Sequence, residues 1–259
     1  MKNLKQRIKN GDTLVGCWLN LGSSVSAEIV GLAGFDWVLL DLEHGAGDEK
    51  DLLYQLQALE HGTAAAIIRV ESYERQRIHR VLDLGAGGVM VPRITSADEA
   101  LQAAKGLKYQ PEGVRGVAFA VRASRFGNDF DNYYRFAQEN LVGVIQIETL
   151  ESLEYLDEIA AVDGVDVLFV GPADLSMALG VFGQLDHPKF VETLEAIRDA
   201  ADRAGKMPGI LMRHPDDFDR FYQLGFRFMA CGADSAFVNT AARNMTQTLQ
   251  EKRSAAETG

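Results

Sequence analysis

Short apolar runs alternate with longer amphipathic stretches from one end of this chain to the other. The apolar runs predict eight strands, at residues 16–19, 37–40, 65–70, 88–91, 141–147, 167–170, 208–211 and 227–230. Helical periodicity marks the stretches between them, including residues 51–60, 73–84, 96–105, 150–161, 188–204 and 215–224. Strands that are apolar almost throughout are buried on both faces, which is typical of a parallel sheet covered by helices. The chain is therefore expected to adopt an α/β fold.

Eight strand–helix units within 259 residues predict a closed (β/α)8 barrel, also called a TIM barrel, built as a single domain. We assign the barrel to residues 1–250 and expect residues 251–259 to form a frayed tail. The rival fold is a doubly wound open sheet, which more often carries a glycine-rich phosphate-binding turn after its first strand. Residues 20–24 match that turn poorly, so the barrel is favoured. Residues 108–140 exceed an ordinary connection and predict a functional loop or an oligomer contact.

The composition predicts a folded protein that binds neither nucleic acid nor a membrane. Hydrophobic residues make up 47% of the chain and charged residues 24%, which is enough for a full core. The net charge of −11 disfavours nucleic acid, whose phosphates need a basic surface. No apolar stretch reaches the roughly 18 residues of a membrane helix, and the first residues lack the apolar core of a signal peptide. Cys17 and Cys231 lie in apolar runs and predict core thiols. The expectation is a cytoplasmic enzyme.

Polar side chains follow several of the predicted strands, at the point where each strand ends. They are Asp41, Glu43 and His44 after the second strand, Arg69 after the third, Gln146 and Glu148 after the fifth, and Asp174 after the sixth. Gly171, Pro172 and Ala173 precede Asp174, and Leu211 ends the seventh strand. Active sites of (β/α)8 barrels lie at the carboxyl ends of the strands. We therefore expect these residues to line a catalytic and substrate-binding mouth.

Gln146 and Glu148 point the same way, because side chains alternate along a strand. Asp174, after the next strand, brings a second carboxylate to the same edge. Two carboxylates with open positions between them suit a hard divalent cation such as Mg²⁺. The alternative is that Glu148 and Asp174 cap helices, since a helical pattern follows each of them. The matched strand ends, with Gln146 beside them, favour a metal site.

Arg69 and His44 complete the predicted site. Arginine binds carboxylates through paired hydrogen bonds, so Arg69 is predicted to hold a substrate carboxylate or an enolate oxygen. The alternative is an ion pair with Asp41 or Glu43. His44 is the best candidate for a general base, because histidine titrates near neutral pH. The alternative is a structural histidine; in the catalytic role, Asp83 or Asp41 would orient its ring.

No lysine follows a predicted strand at its carboxyl end, which disfavours a Schiff-base aldolase. A cation, an arginine and a neutral base suit a different reaction of a 2-oxo acid. The oxo acid would chelate the cation, which would stabilise the enolate formed when a carbon–carbon bond breaks. A citryl- or malyl-CoA thioester lyase would use the same chemistry but needs a basic groove, for which Arg115, Arg122 and Arg125 are the candidates. A barrel that binds an oxo acid without catalysis is the third possibility.

These residues and their surroundings resemble the HpcH/HpaI family of class II, metal-dependent pyruvate aldolases. The resemblance runs from about residue 16 to residue 236. Its motifs are Asp41-Leu42-Glu43-His44, Val91-Pro92, Gly113-Val114-Arg115-Gly116, Arg122-Ala123-Ser124-Arg125, Gln146-Ile147-Glu148 and Gly171-Pro172-Ala173-Asp174. Members act on compounds such as 4-hydroxy-2-oxoheptanedioate and 2-keto-3-deoxy sugar acids. The resemblance implies a (β/α)8 barrel whose last helix exchanges between subunits, in a hexamer built as a dimer of trimers.

The resemblance also implies a role for each site residue. Glu148 and Asp174 would bind the divalent cation, which would be Mg²⁺, Mn²⁺ or Co²⁺. His44 would be the catalytic base, paired with Asp83 of a neighbouring subunit, and Arg69 would contact the pyruvate enolate. Gln146 would support the site, and backbone groups of residues 171–174 would hold the pyruvyl carboxylate.

The sequence departs from the family directly after the histidine. Gly45-Ala46-Gly47-Asp48 replaces a more common Ala-Pro-Asn pattern, and residues 125–128 differ from the dicarboxylate-acting members. These loops are expected to shape the aldehyde side of the site. We therefore expect reversible cleavage of a 4-hydroxy-2-oxo acid into pyruvate, or hydroxypyruvate, and an aldehyde whose identity stays open.

Overall fold

Eight parallel strands close into a barrel in the computed structural model, which describes residues 3–258. The strands are β1 (Leu14–Leu19), β2 (Trp37–Asp41), β3 (Ala65–Arg69), β4 (Gly88–Val91), β5 (Val142–Ile147), β6 (Val167–Val170), β7 (Met207–Met212) and β8 (Phe228–Ala233). Each strand pairs with the next along the chain, and β8 pairs with β1 to close the ring. Every predicted strand overlaps one of these, so the predicted (β/α)8 barrel is confirmed.

Helices and short 3₁₀ turns connect the strands. The helices are α1 (Leu4–Lys9), α2 (Ser24–Leu32), α3 (Glu49–Ala58), α4 (Arg75–Asp83), α5 (Ala97–Leu107), α6 (Phe130–Asn140), α7 (Leu150–Glu154), α8 (Leu156–Ala160), α9 (Pro172–Ala178), α10 (Pro188–Ala204), α11 (Phe218–Gln223) and α12 (Asp234–Thr258). The 3₁₀ turns span Leu59–His61, Arg122–Ser124 and Pro215–Asp217. The single helix predicted at residues 150–161 is divided in two, because the backbone of Tyr155 leaves the helical region. Residues 108–140, for which we predict a functional loop or an oligomer contact, hold a 3₁₀ turn and α6.

Four aromatic side chains, which we call the aromatic floor, fill the barrel interior: Trp18, Trp37, Phe169 and Phe228. Trp37 stacks on Phe228 with ring centroids 4.1 Å apart, and Trp18 lies 5.6 Å from Phe169. Trp18 is 7% exposed and the other three are fully buried. A β carbon at Gly16 would lie 2.2 Å from the Trp37 ring, so the packing requires glycine at that position. The aromatic floor therefore closes the barrel across its interior.

A larger apolar layer joins the outer faces of the strands to the helices. Cys17 is buried in this layer and Cys231 packs against it, both as free thiols. Within residues 3–258, no helix has the length and apolar character that crossing a bilayer requires.

The last helix, α12, is exposed along nearly its whole length. Among the described residues of α12, only Asp234, the first, is buried. A row of exposed apolar side chains follows it: Phe237, Val238, Met245 and Leu249. Residues 251–258, for which we predicted a frayed tail, continue the helix to Thr258. The reason is local, since alanine, glutamate, lysine and arginine all favour helix without tertiary packing.

Helix α2 carries a second exposed apolar row. Val25, Ile29 and Leu32 are each more than 60% exposed and share one helix face by their spacing. Because β8 and β1 are neighbours, α2 and the start of α12 flank the same part of the barrel. Two exposed apolar rows, on α2 and α12, therefore lie on neighbouring parts of the surface.

Candidate active site

The carboxyl ends of the strands gather most of the predicted site residues at one mouth of the barrel. Asp41 ends β2, Arg69 ends β3, and the two residues are paired across these strands. Gln146 and Leu211 lie near the ends of β5 and β7, and Glu148 directly follows β5. Gly171 precedes α9, whose first turn holds Pro172, Ala173 and Asp174. These predicted site residues therefore lie at the carboxyl ends of neighbouring strands.

Asp83 lies elsewhere in the chain's own barrel. It ends α4, which runs from the carboxyl end of β3 back towards the amino end of β4. There its Oδ1 accepts a hydrogen bond of 2.6 Å from Nη2 of Arg115. The Arg115 side chain is fully buried, with its guanidinium over the rings of Tyr109 and Tyr133. Within one chain, Asp83 thus holds a buried arginine and does not orient the ring of His44.

Arg69 forms the ion pairs that we considered as its alternative role. Its Nε and Nη2 donate to the two oxygens of Asp41 at 2.9 and 2.5 Å, and Nη1 lies 3.1 Å from Oε2 of Glu43. The side chains are 12%, 2% and 15% exposed for Arg69, Asp41 and Glu43. These contacts use three of the five guanidinium N–H groups, so two remain for a substrate oxygen. The ion pairs hold the Arg69 guanidinium in place and leave two of its N–H groups available.

Asp41 also organises the turn that carries His44. Its Oδ1 accepts the backbone N–H groups of Glu43 and His44 at 3.1 and 3.2 Å. The His44 side chain is 70% exposed, and its Nε2 lies 3.7 Å from Oε2 of Glu43. Glu43, rather than Asp41 or Asp83, is therefore the carboxylate beside the imidazole within one chain. The sequence analysis assigns Glu43 a role only as a partner of Arg69; its place two residues after Asp41 is the signal for this second role.

Glu148 is a buried carboxylate with no cationic side chain in hydrogen-bond contact among the described residues. Its Oε1 accepts the backbone N–H of Arg93 at 2.9 Å, and its Oε2 accepts Nε2 of Gln146 at 3.0 Å. Burial raises the pKa of Glu148 to about 7, the Arg93 N–H opposes this, and the carboxylates of Asp174 and Glu43 add to it. The carboxyl groups of Glu148, Asp174 and Glu43 thus lie close together, which favours the binding of a cation.

Helix capping does not account for Glu148. Thr149 caps α7 instead, with its side chain accepting the N–H of Ser152. Asp174 does lie in the first turn of α9, where a carboxylate also interacts favourably with the helix dipole. Gly171 lies so close that an added β carbon would be 2.4 Å from Oε2 of Glu148. This close approach keeps the backbone after β6 against the carboxylate.

The donor set at the mouth fits a hard divalent cation held by few protein ligands. Among residues 3–258, no three His, Cys, Asp or Glu side chains are grouped as a complete metal-binding set. Mg²⁺ is commonly bound through one or two carboxylates, with water and substrate completing the shell. Glu148 and Asp174 supply such a pair, and the buried Oε1 of Gln146 has no hydrogen-bond partner within the described chain. These residues therefore suit the predicted cation.

Two further positions at the mouth received no role from the sequence. Arg93, two residues beyond β4, has a left-handed backbone with φ of 52° and donates to Glu148. Asp234, after β8, accepts the N–H of Asn20 at 2.9 Å and Oγ of Ser26 at 2.6 Å. Both positions follow strand ends, which is the signal that could have identified them. Asp234 joins the start of α12 to the end of β1.

Comparison with known proteins agrees with this geometry. The sequence profile of the HpcH/HpaI aldolase/citrate lyase family matches residues 14–241. A 5-keto-4-deoxy-D-glucarate aldolase of Escherichia coli O157:H7 is 38% identical over 237 residues, which cover 92% of each chain.

Solved structures agree as well. A family protein from Burkholderia cenocepacia J2315 is 35% identical with a TM-score of 0.90, covering 98% of this chain and 100% of its own. An HpcH/HpaI aldolase from Desulfitobacterium hafniense DCB-2 is 28% identical, also with a TM-score of 0.90, covering 97% and 98%. The chain belongs to the HpcH/HpaI aldolase/citrate lyase family and is a carbon–carbon lyase of the aldolase type.

Proposed function

We propose that this aldolase cleaves a 4-hydroxy-2-oxo sugar acid reversibly into pyruvate, or hydroxypyruvate, and an aldehyde. The observation that carries the proposal is the buried Glu148 carboxylate. It lies at the same mouth as the Arg69 guanidinium, which has two N–H groups without a partner in the described chain. The names of the curated relatives support a substrate of the 5-keto-4-deoxy-D-glucarate type. Such a compound is a 2-oxo acid with a hydroxyl group two carbons beyond its oxo group, which is the arrangement that a retro-aldol cleavage requires.

Glu148 and Asp174 are proposed to hold the divalent cation, which would be Mg²⁺, Mn²⁺ or Co²⁺. When bound, the cation supplies Lewis acidity that stabilises negative charge developing on the oxo oxygen. Gln146 orients Glu148 through its amide, and Gly171 allows the backbone before α9 to approach. Backbone groups of residues 171–174 would hold the carboxylate of the oxo acid, and Leu211 would line the same side.

Arg69 and His44 act on the substrate oxygens in this scheme. The two remaining N–H groups of Arg69 donate to the oxygen that gains negative charge. His44 takes the proton of the 4-hydroxyl group as the carbon–carbon bond breaks, and the carbon of the resulting enolate then takes up a proton to give pyruvate. Both proton transfers are reversed in the synthetic direction. If Nε2–H of His44 donates to Glu43, Nδ1 is left as the proton acceptor. Glu43 would then orient both the base and the guanidinium.

The thioester lyase alternative receives little support from the three arginines on which it depended. Arg115 is fully buried, and Arg122 donates to Glu60 and to the carbonyl of Leu84. Arg125 is the exposed member, and a single arginine does not make a groove for a nucleotide. We therefore expect no cleavage of citryl- or malyl-CoA.

Proton exchange and product analysis test the proposed reaction directly. With Mg²⁺, Mn²⁺ or Co²⁺ present, the enzyme should exchange the methyl protons of pyruvate with D₂O, which proton NMR detects. Cleavage of a 5-keto-4-deoxy-D-glucarate sample should release one equivalent of pyruvate, measured with lactate dehydrogenase. Pyruvate binding without exchange, under every one of these metals, would contradict the proposal.

We further propose that α12 exchanges between subunits in a hexamer built as a dimer of trimers. The support is the pair of exposed apolar rows on α2 and α12, which a neighbouring chain would bury. The pairing of Asp83 with His44 of a neighbouring subunit stays a prediction, since the described Asp83 binds Arg115. The cytoplasmic location and the division into a barrel of residues 1–250 and a short tail stay predictions too.

Replacing both Met245 and Leu249 with glutamate is expected to break the oligomer. Two carboxylates on the α12 row would have to be buried without partners, which costs several kcal/mol in each copy. Light scattering during size-exclusion chromatography would detect this, with the wild type at six times the 28.4 kDa chain mass and the variant well below it. Gln250→Glu, on the same exposed helix, is the matched control. A variant that stays hexameric would exclude this row as the interface.

A further inference from the structure

Two arginines before α12 differ from the others because their side chains make no polar or ring contact with the described chain. Within residues 3–233, Arg93 and Arg213 are the arginines whose side chains make no hydrogen bond, ion pair or ring contact with the described chain. Both are exposed, and both lie just beyond barrel strands: Arg93 is the second residue after β4, and Arg213 is the first after β7. A chain of net charge −11 thus keeps two unpaired cations at its catalytic mouth.

The backbone of Arg93 is anchored to the reacting end of the site. Its N–H donates to Oε1 of Glu148 at 2.9 Å, so its α carbon lies within about 4.4 Å of that oxygen. A non-glycine residue with φ of 52° is uncommon, and such strain persists where the surrounding structure holds it. The side chain of Arg93 therefore begins at a fixed backbone position beside the proposed cation site, and it is exposed to solvent.

The charge at the mouth leaves a place for an anion near Arg93. Asp41 and Glu43 both pair with Arg69, and a divalent cation would balance Glu148 and Asp174. Among the described residues, none of these carboxylates pairs with the side chain of Arg93, so its guanidinium is free to bind an anionic group of the substrate. Arginine pairs with carboxylates through two parallel hydrogen bonds, which gives orientation as well as affinity.

We propose that Arg93 binds a carboxylate at the far end of the aldehyde half of the substrate and so sets the enzyme's aldehyde specificity. This proposal rests on the proposed function, and it names the class of aldehyde. Glucarate derivatives carry a carboxylate at both ends, and retro-aldol cleavage of a 5-keto-4-deoxy compound leaves the second one on the aldehyde. That product is 2-hydroxy-3-oxopropanoate. Glyceraldehyde differs from it only in having a CH₂OH group in place of the carboxylate.

Arg93 is favoured over Arg213 because of where each side chain begins. Nη2 of Arg213 lies 3.8 Å from the position of a β carbon on Gly183, in the turn after α9. It therefore extends over that turn, whereas Arg93 begins at the Glu148 carboxylate. The two variants separate these assignments experimentally.

The test measures kcat/KM in the synthetic direction, with pyruvate and either 2-hydroxy-3-oxopropanoate or glyceraldehyde. In Arg93→Met, the ratio of kcat/KM for the acid to that for glyceraldehyde should fall by about 10- to 100-fold. Arg93→Lys keeps the charge and should retain part of the preference. Arg203→Met removes an exposed arginine of α10, which pairs with Asp157 of α8, and should leave the ratio unchanged.

Each other outcome has a definite meaning. An unchanged ratio in Arg93→Met, or a fall in Arg213→Met alone, would overturn the assignment to Arg93. A wild-type preference for glyceraldehyde 3-phosphate over the carboxylate would overturn the choice of anion. If the wild type condenses neither aldehyde with pyruvate but is correctly folded, the proposed function fails rather than the role of Arg93. Thermal unfolding of each variant checks that the fold is kept.

Discussion

Glu148→Gln is expected to lower kcat for aldol cleavage by at least about 10³-fold, with little change in stability. The substitution removes the negative charge of one of the two carboxylates proposed to hold the cation. It keeps the size of the side chain and its ability to accept the N–H of Arg93. The amide of Gln146 can turn over to remain hydrogen-bonded to the new amide. Burying a neutral amide costs less than burying a carboxylate, so the fold should tolerate the change.

The measurement pairs activity with metal binding. Pyruvate release is followed with lactate dehydrogenase, and Mn²⁺ binding is followed by calorimetry without substrate. Chelation of the wild type should abolish cleavage, and Mg²⁺, Mn²⁺ or Co²⁺ should restore it, whereas no metal should restore the variant. Glu158→Gln, an exposed change on α8, is the control and should behave as wild type. Full activity of the variant under chelation would exclude the proposed role of Glu148.

Asp41→Asn is expected to cost about 3 kcal/mol of folding stability, because it leaves a buried guanidinium short of its bidentate partner. Asp41 accepts two bonds from Arg69 and two from the backbone of the turn that carries His44. An asparagine can satisfy at most part of this set, since its NH₂ group faces donors. Glu43 remains at 3.1 Å and limits the loss. For a chain of this size, the cost corresponds to a fall in Tm of roughly 6–12 °C.

The control for Asp41 is an ion pair of the same chemistry on the surface. Asp186 lies 2.6 Å from Nη1 of Arg220 and its side chain is 93% exposed. Asp186→Asn should change the unfolding free energy by less than about 0.5 kcal/mol, since exposed pairs contribute little. Thermal unfolding of both variants, monitored by circular dichroism, measures the difference. Equal stabilities for the two would contradict the burial argument, and cleavage assays should also show lower activity for Asp41→Asn alone.

The barrel and its mouth could be predicted because both follow from periodicity. Apolar runs that are not interrupted by polar residues must be buried on both faces, and a parallel sheet places all carboxyl ends on one side. Asp41, Arg69, Gln146 and Glu148 could therefore be placed together without coordinates. The family resemblance added roles to these positions but not their contacts.

Other parts of the site depend on contacts that cannot be predicted from the spacing of apolar residues in the sequence. The bond from Arg93 to Glu148 depends on a left-handed backbone at a residue that rarely adopts it. Glu43 pairs with Arg69 alongside Asp41 and also lies beside the imidazole of His44, an arrangement that only the atomic contacts show. Asp83 illustrates a different limit, since its proposed partner belongs to another subunit. The continuation of α12 to Thr258 depends on the helix-forming residues of that segment, which need no tertiary packing.

The aromatic floor has a kinetic consequence. Trp18, Trp37, Phe169 and Phe228 block the barrel interior, so substrates and products share a single opening. The ring of Trp18 lies 5.9 Å from the guanidinium of Arg69, so an oxo acid bound by Arg69 as proposed would lie next to the floor. With the oxo acid bound next to the floor as proposed, we expect pyruvate to bind before the aldehyde in synthesis. In cleavage, we expect the aldehyde to leave before pyruvate.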